Sequence, residues 1–349
     1  MASDTSQHQV AVDKRDFKQR FQDKYDVWHQ ASQEKMDSSG VAGEEKEKDR
    51  LETEPTPPKH KIHGFDNEIK SLENFLLDQK VYKEFKSLVI VGEYGVGKTA
   101  LCQKIFNKEQ VKSVYAPRIW VSMHSKETKE GEDKKVSVLK RILKDLGVED
   151  EMFESIHKEA TKEVSAKMEL GETYEEMVKD EEIAALLYAL HLNLRWKKYL
   201  IVFDDVREED KWDQKLDEKL KEDEKWGKHL SDGFPKGSGG RVIYTTRDKT
   251  VAEKLVGERH EIHRLWPLSD HQKVWNIYEE VVVVEKKKEP PRNDKKCIDE
   301  LMNKSRGLPL AVRMIAELDP VFLDDEIVAQ DGSTNGSNES TNPPNQSNP

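Results

Sequence analysis

At 349 residues the chain can hold one large or two modest domains, yet only 35% of it is hydrophobic against 36% charged, so the organised core is expected to be shorter than the chain. Its 58 Lys and Arg against 69 Asp and Glu give a net charge of −11, which opposes nucleic acid as a general partner, and no basic run is interleaved with aromatics as a base-stacking platform needs. Two cysteines, Cys102 and Cys297, are too few for a disulfide framework or metal cluster and suit a reducing, cytoplasmic setting; no stretch reads as a signal peptide or nears the roughly 20 apolar residues of a spanning helix.

Residues 1–60 are polar and charged and close on Glu54-Pro55-Thr56-Pro57-Pro58, the composition of a mostly disordered arm ending in a stiff linker. Within residues 13–31, Phe17, Phe21, Tyr25 and Trp28 recur at helical spacing. They form one face of a possible amphipathic helix, which reads either as docked on the chain's own core or as a site for a partner or a membrane surface. From Ile62 the apolar content rises. Four short strands are expected at Ser87–Val91, Arg118–Ser122, Tyr199–Phe203 and Gly240–Thr246, separated by helical patterns such as Val138, Leu139, Ile142, Leu143 and Leu146. Strands alternating with helices predict a parallel sheet covered on both faces. Charged segments 149–182 and 207–236 read as solvated helix or loop, and 319–349 as an acidic, then Ser/Asn/Pro-rich disordered tail. The run Val281-Val282-Val283-Val284 suits a helix poorly and points only to burial.

Chemistry concentrates at three strand ends. Gly92-Glu93-Tyr94-Gly95-Val96-Gly97-Lys98-Thr99 satisfies the P-loop pattern between the apolar Leu88-Val89-Ile90-Val91 and the helical Ala100-Leu101-Cys102. Glycines there let successive backbone N–H groups turn toward an anion at a helix N-terminus, Lys98 reaches β and γ phosphates, and Thr99 offers its hydroxyl to Mg²⁺. Tyr199-Leu200-Ile201-Val202-Phe203-Asp204-Asp205 is a Walker B pattern: Asp204 would hold the metal, directly or through water, and Asp205 could orient an attacking water. Arg247, at the end of Arg241-Val242-Ile243-Tyr244-Thr245-Thr246, can face the ligand crevice and sense a γ-phosphate. The ligand these residues predict is ATP or ADP with Mg²⁺.

The order of motifs resembles the NB-ARC module of plant nucleotide-binding leucine-rich-repeat disease-resistance proteins. The resemblance runs through Ile62-His63-Gly64-Phe65-Asp66, the P-loop, Pro117-Arg118-Ile119-Trp120-Val121-Ser122, the Walker B segment, Gly240 to Arg247, the Leu265 to Trp275 connector, and Gly307-Leu308-Pro309-Leu310-Ala311. It implies an α/β fold: a P-loop NTPase parallel sheet with helices on both faces over 61–266, then a small all-helical ARC1-like subdomain over 267–318. It also implies a cytoplasmic ATP/ADP switch or adaptor in plant defence, at most a weak ATPase, with immune-receptor or signalling proteins as partners. The backbone around His63 and Gly64 would border the adenine, Arg247 the γ-phosphate side, and Pro309 would close over the nucleotide held by the loop residues Gly92 to Ala100. The second helical subdomain with its Met-His-Asp motif and the leucine-rich repeats are not recognisable in the sequence. A nucleotide-stabilised scaffold or decoy that barely hydrolyses, and a P-loop ATPase or kinase of another clan, stand as alternatives.

Overall fold

A computed structural model describes residues 51–78, 84–125, 132–167, 174–210, 227, 229–256, 261–288 and 293–318. The 13–31 segment and the 319–349 tail lie outside the described residues.

Five parallel strands form one sheet in the order β2-β3-β4-β1-β5: β1 (Lys86–Val91), β2 (Arg118–Ser122), β3 (Leu200–Asp204), β4 (Arg241–Thr246) and β5 (Ile262–Arg264). Four match the expected strands to within a residue. The fifth is a three-residue edge strand, partly exposed, held by pairing Val89 with Ile262 and Val91 with Arg264.

Side chains alternate across a strand, and each strand therefore feeds two cores. Leu88 and Ile90 of β1, Leu200 and Val202 of β3 and Ile243 of β4 face one layer; Val89, Val91, Ile201, Phe203, Val242 and Tyr244 face the other. The first layer holds α1 (Asp66–Leu77), α2 (Lys98–Phe106) and α3 (Glu109–Val114). The second holds α4 (Lys134–Asp145), α6 (Tyr174–Leu194) and α7 (Lys249–Leu255). Both faces are covered, as the uninterrupted apolar strands require.

Helix α5 (Asp150–Lys167) and the first half of α6 occupy the segment read as solvated. They do more than display charge. Phe153 joins the second core, while Ala160 and Val164 pack with Val178 in a small separate cluster. Glu182, only 6% exposed, is paired to Lys140 at 3.0 Å.

After β5 the chain forms α8 (His271–Glu279), α9 (Lys295–Ser305) and α10 (Pro309–Glu317), whose apolar faces merge with the first layer. Asp270 and Asp294 cap α8 and α9 by accepting backbone N–H bonds, satisfying donors that a helix leaves open. The valine run continues α8 as a π-helical turn, Glu280–Glu285. Burial accounts for only half of it: Val281 and Val282 are inside, whereas Val283 and Val284 are 36% and 68% exposed. The wider turn, closed by Lys286 N–H donating to Val281 C=O at 3.0 Å, rotates the second pair of valines off the core and sets Glu280 toward the segment preceding α1.

Candidate nucleotide site

The connection leaving β1 passes through α2 on one face of the sheet, and the connection leaving β4 passes through α7 on the other. Adjacent parallel strands whose connections diverge in this way open a crevice at their C-terminal ends. Register brings the chemistry to that edge: Val91 lies beside Thr246, and Ser122 beside Asp204.

The P-loop departs from β1 under tight constraint. Gly92 N–H donates to Thr246 C=O at 3.3 Å, and a side chain at Gly92 would strike the Leu265 carbonyl at 2.5 Å. Val96 is fully buried and anchors the loop, while Gly95 and Gly97 take positive φ of 80° and 104°. Gly97 has open space above it and starts α2 with no side-chain cap, so the first N–H groups of α2, including those of Thr99 and Ala100, have no competing side-chain acceptor from Gly97.

Lys98 is 8% exposed, and its ammonium donates to the carbonyls of Gly92 at 2.7 Å and Glu93 at 3.0 Å. No carboxylate among the described residues lies within ion-pair distance. Burial, followed by the charge of Arg247, pushes the ammonium down to about 8, with Asp205 and Asp204 pulling partly the other way. A buried cation held by neutral carbonyls at an open glycine loop fits an anionic ligand.

Behind the loop stands Asp204, 1% exposed. Thr99 donates to it at 2.9 and 3.1 Å, Thr245 at 2.6 Å and Thr53 at 3.0 Å. Burial drives its carboxyl upward and the hydroxyls oppose that, leaving a net rise. A hydroxyl beside a carboxylate is a hard oxygen set of the kind magnesium takes. Asp205 sits in the left-handed region at φ 62° and is held from two sides, by Arg207 at 3.1 Å and by Arg247 at 3.3 Å. The Arg247 guanidinium also stacks 4.5 Å above the Tyr94 ring.

Pro309 is the first residue of α10, and the next residue touches the loop: Leu310 N–H donates to Gly95 C=O at 3.1 Å. The His63 ring bonds Glu280, which also accepts Lys61 N–H at 3.0 Å. The structure thus brings together residues 92–100, Asp204, Asp205, Arg247 and the start of α10, with His63 on the α8 side of the assembly.

Glu280 holds its carboxyl below the ordinary 4.5 although burial pushes it up, because the Lys61 N–H, the His63 ring and the Arg313 charge together outweigh burial. His60 and Arg313 meet at the neighbouring Glu285. A depressed carboxylate adds stability above its unfolded value and loses it as pH falls through the folded one. Urea unfolding should therefore show Glu280→Gln less stable than wild type at pH 7, with the gap closing as pH falls below the ordinary 4.5. A gap independent of pH would refute the assignment.

Thr245 and Arg207 were not singled out by the sequence reading. Thr245 could have been found from its place at the C-terminal end of a strand bordering the Walker B strand. Arg207 had no such signal.

A glycine-rich loop between strand and helix, a buried lysine at its centre and a threonine–aspartate pair behind it on a five-stranded parallel sheet define a P-loop NTPase-like fold. The NB-ARC domain family matches residues 65–288, and the chain belongs to that family. It is 70% identical over 302 residues to probable disease resistance protein At5g45490 of Arabidopsis thaliana, covering 85% of each chain. It is 62% identical to probable disease resistance protein At5g45440 of the same plant over 98% of this chain and 96% of that one. A third Arabidopsis relative, probable disease resistance protein At4g19060, is 53% identical over 79% of this chain and 77% of its own. No helix among the described residues is long and apolar enough to cross a membrane.

Proposed function

We propose that this chain binds ATP or ADP with Mg²⁺ at residues 92–100 and acts as a nucleotide-dependent switch or adaptor in plant defence, in the cytoplasm, with immune-receptor or signalling proteins as partners. The observation that carries the reading is Lys98: a nearly buried ammonium with two carbonyls and no carboxylate beside it. A phosphate supplies the missing countercharge. Thr99 and Asp204 would hold the metal, which neutralises phosphate charge when bound. The Leu310 N–H bond to the Gly95 carbonyl ties the start of α10 to the loop, so α10 would follow any movement of the P-loop and Pro309 would close over the nucleotide.

Hydrolysis is expected to be slow. Asp205 is engaged by Arg207 on one carboxylate oxygen and by Arg247 on the other, so both oxygens that could orient a water are already occupied. That pairing favours the related reading of a scaffold that holds nucleotide without turning it over.

Arg247, at the end of β4 beside Asp205, would contact a γ-phosphate from this position. Arg247→Ala should then weaken ATP by about tenfold, the effect of one charge-assisted bond, and leave ADP within about twofold. Calorimetric titration with each nucleotide checks this; equal losses for both would remove Arg247 as the γ-phosphate sensor.

A further inference from the structure

Residues 51–61, ahead of α1, form neither helix nor strand, yet they are pinned at five consecutive groups. The Glu52 carboxylate accepts from the Ser125 hydroxyl at 2.7 Å, and Thr53 N–H donates to Ser122 Oγ at 3.1 Å. Gln103 and Asn107, one turn apart on α2 and its C-cap, donate to the carbonyls of Glu54 at 2.8 Å and Pro55 at 2.6 Å. The strap therefore crosses from the end of β2 to the P-loop helix. At its centre, the Thr53 hydroxyl lies between Trp120 Nε1 at 3.1 Å and Asp204 Oδ2 at 3.0 Å.

The direction of those two bonds is fixed by chemistry. An indole N–H can only donate, so the Thr53 oxygen accepts from Trp120, and its single proton must go to Asp204. The carboxylate then receives Thr245 and Thr99 on Oδ1 and Thr99 and Thr53 on Oδ2. Three hydroxyls from three separate chain segments fix its plane. Loss of Thr53 would leave Oδ2 held by the shared Thr99 proton alone and loosen the carboxylate's orientation.

We propose that Thr53 is a positioning residue for the metal end of the nucleotide site, so that docking of the 52–55 strap and binding of the magnesium–nucleotide complex strengthen each other. The proposal rests on the nucleotide reading above and adds to it a route by which the chain N-terminal to the domain communicates with the site. Coupling of this kind is reciprocal: whatever pulls the strap away weakens magnesium-dependent binding, and magnesium–nucleotide holds the strap down.

The test uses the full chain, a fluorescent ADP derivative, and hydrogen exchange over residues 51–58. In wild type, magnesium should increase ADP affinity and slow exchange of the strap. Thr53→Val, which keeps the shape and removes the donor, should lose about tenfold of the magnesium-dependent gain. Its affinity in EDTA should remain within twofold of wild type, and its strap exchange should no longer respond to magnesium–ADP. Thr53→Ser should restore both. Wild-type binding combined with an unchanged magnesium dependence in Thr53→Val overturns the positioning role and leaves the nucleotide reading standing. A wild type that binds no ADP with or without magnesium overturns both.

Discussion

Replacing Lys98 by alanine should lower nucleotide affinity by at least roughly thirtyfold, the result of removing about 2–5 kcal/mol of a charge-assisted contact made in a desolvated place. In the protein itself the ammonium is costly: burial and the nearby Arg247 both disfavour its charge, and only the carbonyls of Gly92 and Glu93 receive its protons. Those carbonyls and the charges of Asp205 and Asp204 offset only part of that cost. The alanine variant should accordingly unfold at a urea concentration no lower than wild type when free of nucleotide, while losing the added stability that ADP with Mg²⁺ gives to wild type. Titration and urea unfolding with and without ADP separate the two effects. A variant that unfolds early without nucleotide would show Lys98 to be structural.

Gly307→Ala should destabilise the chain by about 2–5 kcal/mol, the sum of placing a side chain in the left-handed region and forcing it into occupied space. Gly307 stands at φ 71°, and an added Cβ would fall 2.0 Å from the Leu268 carbonyl oxygen, with other backbone atoms of Leu268 at 3.0 and 3.1 Å. The contact cannot relax by a side-chain rotation, because Leu268 N–H is bonded to Gly307 C=O at 2.9 Å and the Leu268 side chain fills the space beside Gly64. Moving Leu268 therefore disturbs the connector after β5, the turn before α10 and the segment before α1 together. Gly147, also at positive φ but with open space around it, is the matched control, and Gly147→Ala should cost only about 1–2 kcal/mol. Urea unfolding of both variants isolates the clash; equal losses would mean that the Leu268 contact yields.

How far the sequence discloses this structure depends on whether a feature is local. The P-loop, the Asp204 strand and the strand before Arg247 each combine an apolar run with a characteristic end, and four strands could be read within a residue of their bounds. Ile262–Arg264 carries no such pattern: it is a strand because β1 offers it an edge. The charged stretch around α5 hides its buried residues at wide intervals, Phe153, Ala160 and Val164 among lysines and glutamates. Four valines suggested burial, but a π-helical turn exposes two of them.

At the site the same division holds. Lys98, Thr99 and Asp204 were legible because their spacing and their strand and helix context are fixed by the chemistry of phosphate and metal. Thr53 was not, since it reaches Asp204 across 151 positions of sequence and lies in a proline-bounded polar segment that reads as linker. Neutral hydroxyls carry no pattern of their own. Asp205 was visible as a second acid, but its engagement by Arg207 and Arg247 depends on a left-handed turn that the sequence does not announce.

The most direct measurement is the nucleotide content of the purified full-length chain, released by acid and resolved by chromatography, followed by titration of the stripped protein with ADP and ATP in magnesium. A stoichiometric adenine nucleotide that is absent from Lys98→Ala is the predicted result. A wild type that carries none, and binds neither nucleotide at millimolar concentration with magnesium, would contradict the account.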